Sequence, residues 1–158
     1  MLFRSHAGNA ALPELPSVQK IRDAEKDYGL YGLDAYRAFA ASTVKIKCDL
    51  LRFLIQARAE GKVVAGYGAP AKGNTLLNYC GVGPELIPFT VDRSHHKQGH
   101  LLPGVRIPIK APQAILDARP DYVLILPWNF KDEIVEQMAA IREWGGKFVV
   151  PIPELKVL

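Results

Sequence analysis

Residues 66–75, GYGAPAKGNT, narrow the possible folds of this chain more than any other stretch. They lie between the apolar run Val63-Val64-Ala65 and a segment, 71–79, with helical apolar spacing. That order reads as the turn of a strand-loop-helix unit. Within it Gly66, Gly68 and Ala71 spell G-x-G-x-x-A. In such turns the first glycine permits the tight reversal, the second lets backbone approach a phosphate, and the small third residue allows close packing of helix on strand. A helix opening near Pro70 directs unpaired N–H groups and its positive dipole end at an anion. Lys72 adds a full charge, and Tyr67, Ala69, Gly73 and Asn74 belong to the same expected binding loop.

The rest of the chain extends this unit to a fold class. From Lys62 on, short apolar runs alternate with helical segments. Strands are expected at 63–66, 87–91, 106–109, 122–126 and 147–152, and helices at 71–79, 112–118 and 130–144, the last capped by Asn129 and stopped by Gly145. The pattern predicts an α/β, Rossmann-like, doubly wound and mostly parallel sheet of about five strands, covered on both faces. An N-terminal helical segment precedes it. Ser17 is expected to cap a short helix that Gly29 ends, and Asp34 to open a longer one. The apolar positions of that longer helix, Tyr36, Phe39, Ala40, Val44, Cys48, Leu51, Leu54 and Ile55, are expected to face the sheet. Residues 1–16, with Pro13 and Pro16, read as an extended lead-in. The expected organisation is therefore a lead-in at 1–16 and one domain at 17–158, helical over 17–61 and α/β over 62–158.

Composition bounds the function. A chain of 158 residues with 49% hydrophobic content suits one compact domain. Its net charge of +4 is concentrated in residues 62–110, where six Lys/Arg stand against two Asp/Glu. An anionic ligand is favoured there. No lysine/arginine run and no interleaving of aromatic with basic residues appears, which argues against nucleic acid. No apolar run reaches 18 residues and the N-terminus lacks the apolar centre of a signal peptide, so no membrane partner and a cytoplasmic location are expected. Cys48 and Cys80 lack metal-site spacing and read as buried free thiols.

Two further loops are expected at carboxyl ends of strands, where ligands of open sheets collect. The first is Asp92-Arg93-Ser94-His95-His96-Lys97-Gln98-Gly99-His100. Asp92 lies 24 positions after Gly68, where an acidic residue can accept ribose hydroxyls, while Arg93, Ser94, Lys97 and Gln98 can donate to phosphate or sugar oxygens. The three histidines lack a carboxylate pair, and Gly99 breaks the helix that would align two of them, so no metal site is expected. The second loop is Pro127-Trp128-Asn129, in which Trp128 can stack on a base or sugar. No Ser/His/Asp order, Cys/His pair or paired carboxylates form a catalytic set.

Two familiar loops do not fit. A Walker A loop needs lysine after its last glycine, and Asn74 follows Gly73. The usual S-adenosylmethionine loop has an acidic residue two positions before the first glycine, and Val64 stands there. On the residues alone, a nucleoside-diphosphate ligand and a dinucleotide or coenzyme A remain open.

Longer motifs are more specific. GYGAPAKGNTLLNYC, FTVDRSHHKQGHLLPGVRIPI, PDYVLILPWNFKDEI and REWGGKFVVPIPE resemble the C-terminal domain of the S-adenosylmethionine-dependent sugar C-methyltransferase family, over about residues 17–155. The resemblance implies a Rossmann-like domain that binds no methyl donor or zinc itself and helps hold a nucleotide-linked keto-sugar. Zinc and S-adenosylmethionine then belong to an N-terminal and a middle domain that also supplies the catalytic residues. His95 and His100 depart from the proline and the arginine or lysine common at those places. The machinery of methyl transfer is not found in these 158 residues. The chain is accordingly expected to be inactive alone, either a fragment or a partner of a separate protein carrying the other domains.

Overall fold

The computed structural model describes residue 6 and residues 8–158. Most of the first half-dozen residues of the expected lead-in, residues 1–5 and 7, lie outside the described residues. The chain divides into two compact units, Met1–Thr43 and Val44–Leu158.

The first unit contains helix α1 (Pro16–Asp27) and the start of helix α2 (Leu33–Ala59). Pro16 occupies the first turn of α1, where its missing N–H costs nothing and its fixed φ suits the helix. Ser17 therefore lies inside the helix and does not cap it; the N-cap is Leu15, with no side-chain cap bond. No residue of α1 is buried.

The second unit is built on a sheet of six strands, β1 (Val64–Tyr67), β2 (Thr90–Val91), β3 (Ile109–Lys110), β4 (Tyr122–Ile125), β5 (Lys147–Val150) and β6 (Lys156–Val157), in the order β3-β2-β1-β4-β5-β6. All pairs are parallel except β5 with β6, which is antiparallel. Helices α3 (Ala71–Cys80), α4 (Gln113–Ala118) and α5 (Lys131–Gln137) connect the strands. This is the expected doubly wound sheet with one more strand than the sequence suggested. β6 is too short and too exposed to leave an apolar signature.

Alternate residues of each central strand point to opposite faces. Val64, Leu124, Leu126 and Val149 join one core with Leu50, Leu54 and Ala57 of α2 and Leu76, Leu77 and Cys80 of α3. Ala65, Tyr67, Val123, Ile125, Phe148 and Val150 join the other, with Ile115 of α4 and Ile134 of α5. Fully burying a leucine such as Leu50 or Leu54 is worth about 1.5–3 kcal/mol, so these contacts fix α2 from Leu50 onward.

That burial corrects the expected inner face of α2. Leu54 is buried and Leu51 packs against the core, but Tyr36, Phe39, Ala40, Val44 and Ile55 are exposed, and so is Cys48, which leaves Cys80 as the buried thiol of the two. Other boundaries move for local reasons. Proline has no N–H to give a ladder, and Pro88 and Pro108 each precede a strand cut to two residues. Arg106 adopts φ +59, a turn conformation that takes it out of the expected third strand. The expected helix over 130–144 is α5 followed by a 3-10 segment, Ala139–Trp144, which Gly145 ends at φ +81. Among the described residues no helix is long and apolar enough to cross a membrane.

Candidate functional site

The sheet order reverses at β1, whose neighbours are β2 on one side and β4 on the other. The carboxyl ends of β1 and β4 therefore border the crevice in which open α/β sheets take ligands. Three loops meet there: Gly68–Pro70, the loop after β2, and Pro127–Asn129.

The turn is built as tightly as its glycines imply. Gly68 has φ +89, and a Cβ there would stand 2.6 Å from Pro127 Cδ. Its N–H donates to the Val91 carbonyl at 2.6 Å, while its carbonyl accepts the Thr90 hydroxyl at 2.8 Å. A Cβ on Gly66 would meet that same Thr90 Oγ1 at 2.6 Å. The close packing of helix on strand falls to Gly73 rather than Ala71. A Cβ on Gly73 would stand 2.8 Å from Leu126 Cβ, whereas Ala71 is exposed. Pro70 is the N-cap of α3 and brings no side-chain bond, so the N–H groups of the first turn have no partner within the helix. The Asn74 N–H closes the first helical bond, to the Pro70 carbonyl.

Asp92 cross-ties the loops. Its Oδ2 accepts from the Ala69 N–H at 2.7 Å and from Lys97 Nζ at 3.2 Å, and its Oδ1 accepts from the Ser94 N–H at 2.8 Å. Lys97 also donates to the Ala69 carbonyl, and Gln98 Nε2 to the Asp92 carbonyl. Burial pushes the Asp92 carboxyl up, but the N–H groups of Ser94 and Ala69 and the Lys97 ammonium outweigh it and hold the pKa below the ordinary aspartate value. With the folded value depressed, the stability this carboxylate contributes is complete above its unfolded pKa, near 3.9, and is lost as pH falls through the folded value. Asp92→Asn should therefore lower the urea midpoint at pH 7, and the gap to the parent should close progressively as pH falls below the ordinary aspartate value, about 3.9. An unchanged gap at acid pH would mean that the carboxylate does not hold the loops.

Lys72 is placed differently. Its Nζ lies 4.6 Å from the centroid of the Trp128 ring and donates to Asn129 Oδ1. It has no ion pair among the described residues, whereas Lys97 is paired with Asp92. Asn129 is accordingly a partner of Lys72 and not the expected cap of α5, whose N-cap is Phe130 with no side-chain bond.

These loops lie in a chain whose residues 1–153 match the C-methyltransferase C-terminal domain family. The chain belongs to that family. It is 41% identical over 143 residues to the C-methyltransferase NovU of Streptomyces niveus, a match spanning 90% of this chain and 34% of that relative. The chain thus corresponds to about a third of the relative's length. A solved structure, UDP-D-quinovosamine 4-dehydrogenase from Vibrio fischeri, aligns with a TM-score of 0.44 at 24% identity, covering 61% of this chain and 93% of that one.

Within this C-methyltransferase domain most of the expected binding residues do gather at the switch point. Gly66, Gly68, Ala69, Pro70, Lys72, Asp92, Ser94, Lys97, Gln98, Pro127, Trp128 and Asn129 are linked by the contacts above. Arg93 turns away to α5, 3.6 Å from Glu133 and 3.5 Å from Gln137. The Tyr67 hydroxyl donates to Gln137 as well, at 3.4 Å, and burial raises the Tyr67 pKa. Asn74 accepts from Asn78 Nδ2. Among the described residues His95, His96 and His100 form no group with other potential metal ligands. The residue that the sequence does not single out is Thr90, fully buried, whose hydroxyl ties the Gly68 carbonyl to β2. A threonine in an otherwise apolar run beside the glycine loop was its signal.

Proposed function

We propose that this chain is the nucleotide-sugar-holding part of a sugar C-methyltransferase, with the diphosphate of a nucleoside-diphosphate keto-sugar seated against the first turn of α3. The observation that carries the reading is the unneutralised Lys72 ammonium, parked on Trp128 and Asn129 beside free helix N–H groups at the switch point. Anions bind such a helix start without further help, and a positioned cation strengthens the contact. The Trp128 ring offers a stacking surface for base or sugar.

A dinucleotide or coenzyme A uses the same loop physics. What weighs against a dinucleotide is Asp92, whose two oxygens already serve Ala69, Ser94 and Lys97, so the usual ribose acceptor is engaged within the protein. The methyl donor does not fit this loop: Val64, where an acidic residue would be needed, is a core residue. Zinc and S-adenosylmethionine are assigned to the parts of the enzyme outside this chain, which are its partners in the reaction.

Titration calorimetry with a thymidine-diphosphate sugar, NAD, coenzyme A and S-adenosylmethionine should give heat with the first and none with the last. Lys72→Ala should weaken the sugar nucleotide about ten- to a hundredfold, the worth of a charge-assisted contact, with the melting temperature retained. Equal affinity in parent and variant, or selective binding of S-adenosylmethionine, would overturn the assignment.

A further inference from the structure

One peptide plane at the switch point is held at both ends by side chains from a single strand. A trans peptide points its carbonyl and its N–H in opposite directions. In the plane joining Gly68 to Ala69 the carbonyl accepts the Thr90 hydroxyl at 2.8 Å, and the N–H donates to Asp92 Oδ2 at 2.7 Å. Thr90 and Asp92 stand two positions apart where the ladder to β3 still runs: the Thr90 N–H bonds to the Pro108 carbonyl and the Asp92 N–H to that of Lys110. Their side chains therefore share one face of the sheet and bracket the plane between them. The next carbonyl, of Ala69, accepts from Lys97 Nζ at 3.0 Å. Pro70 follows as the N-cap of α3, so this plane sets the direction in which the chain enters that helix.

The two holders act differently. A carboxylate only accepts, so Asp92 takes an N–H and repels a carbonyl oxygen, which decides which way round the plane lies. Thr90 satisfies the carbonyl of Gly68, and both residues are buried. Without the hydroxyl that oxygen is left unpaired, a costly state for a buried acceptor. Rotation of the plane relieves it, and Gly68, with no Cβ and at φ +89, permits the rotation. The Asp92 bond is then broken. The sequence makes room for the Thr90 contact. Gly66 lies inside β1 and has no positive φ, so no backbone conformation demands a glycine there. A Cβ on it would stand 2.6 Å from Thr90 Oγ1 and 2.9 Å from Thr90 Cβ; the missing side chain is the space that Thr90 fills. We propose that Thr90 is a positioning residue of the anion site, whose hydroxyl locks the Gly68–Ala69 peptide and, through it, the aim of the first turn of α3. Its effect on binding rests on the proposed function; the locked plane does not.

Residue-resolved amide hydrogen exchange and calorimetry with thymidine diphosphate test the two parts separately, on Thr90→Val and Thr90→Ser beside the parent. Valine keeps the branched shape and removes the hydroxyl, whereas serine keeps the hydroxyl. In Thr90→Val the Ala69 N–H should exchange about tenfold faster or more, and thymidine diphosphate should bind about tenfold more weakly or worse, the scale of one buried carbonyl left unpaired. Thr90→Ser should return both values to near those of the parent. Thr90→Ala, which also lacks the hydroxyl and brings no new atoms, is the second variant and should behave as valine does. The control is the Val63 N–H, bonded to Asp121 Oδ2 at 2.9 Å beyond the other end of β1. Its exchange should keep the parent rate, whereas general loosening of the fold would speed it together with Ala69. Unchanged exchange at Ala69 without the hydroxyl, or equal acceleration at Val63, overturns the lock. Faster exchange at Ala69 with parent affinity overturns the role in binding. A parent that protects Ala69 through Thr90 and yet does not bind thymidine diphosphate overturns the proposed function and leaves the lock standing.

Discussion

Gly68→Val is expected to destabilise the protein by about 2–6 kcal/mol and, on the proposed function, to abolish binding of a sugar nucleotide. Two independent costs add. The backbone at Gly68 has φ +89, a region that a β-branched residue enters only under strain of about 1–3 kcal/mol. The new Cβ would also stand 2.6 Å from Pro127 Cδ, and pushing a neighbour aside in a packed site costs about 1–3 kcal/mol more. Neither can relax freely, because the Gly68 N–H and carbonyl are both held, by Val91 and by Thr90. Such a loss is a large part of a typical domain's stability, so the milder Gly68→Ala is the companion variant. It keeps the φ strain and the first methyl but not the branched bulk. Urea denaturation should rank parent, alanine and valine in that order, and affinity should fall with them. A valine variant as stable as the parent would mean that the turn is looser than its contacts state.

The same turn explains what could be read from sequence and what could not. Local chemistry was legible: Gly68 before a helix and an apolar run buried on both faces each follow from one residue type meeting one backbone requirement. Side-chain allegiance was not. Asp92 looked like a ligand for ribose, but once β2 lies beside β1 its carboxylate faces the Ala69 N–H and closes the loop instead. Asn129 looked like a helix cap, and the arrival of Lys72 from 57 positions earlier in the chain claimed its side-chain Oδ1. Arg93 was grouped with Ser94 and Lys97 by proximity in sequence; α5 draws it to Glu133. The face of α2 was misread for a related reason. Tyr36, Phe39 and Val44 are apolar and helically spaced, but the buried contacts that select a face begin only at Leu50.

This 158-residue chain, purified and supplied with S-adenosylmethionine and thymidine-diphosphate keto-sugars, is expected to form no methylated product. Carbon methylation beside a ketone needs a base to take the α proton and a methyl group held in line with the resulting carbanion. On the proposed function the crevice supplies a cation and helix N–H groups, which hold a diphosphate but do not accept protons. Asp92, the carboxylate nearest the loop, is hydrogen-bonded to two N–H groups and an ammonium, and its pKa is held down, which makes it a poor base. His96 is an imidazole of suitable type, yet it lies exposed in the loop after β2 with no donor site built against it. Alignment of two reactants accounts for about 7–11 kcal/mol of a barrier, roughly five to eight orders of magnitude in rate. A half that holds one reactant and not the other forfeits that whole contribution. Mass spectrometry for a gain of one methylene decides the matter. Product from this chain alone would place both donor and base within residues 1–158; on the proposed function, product is expected only from a fusion in which this chain replaces the matched third of the Streptomyces niveus relative, where the rest of that polypeptide would supply the donor and the proton acceptor.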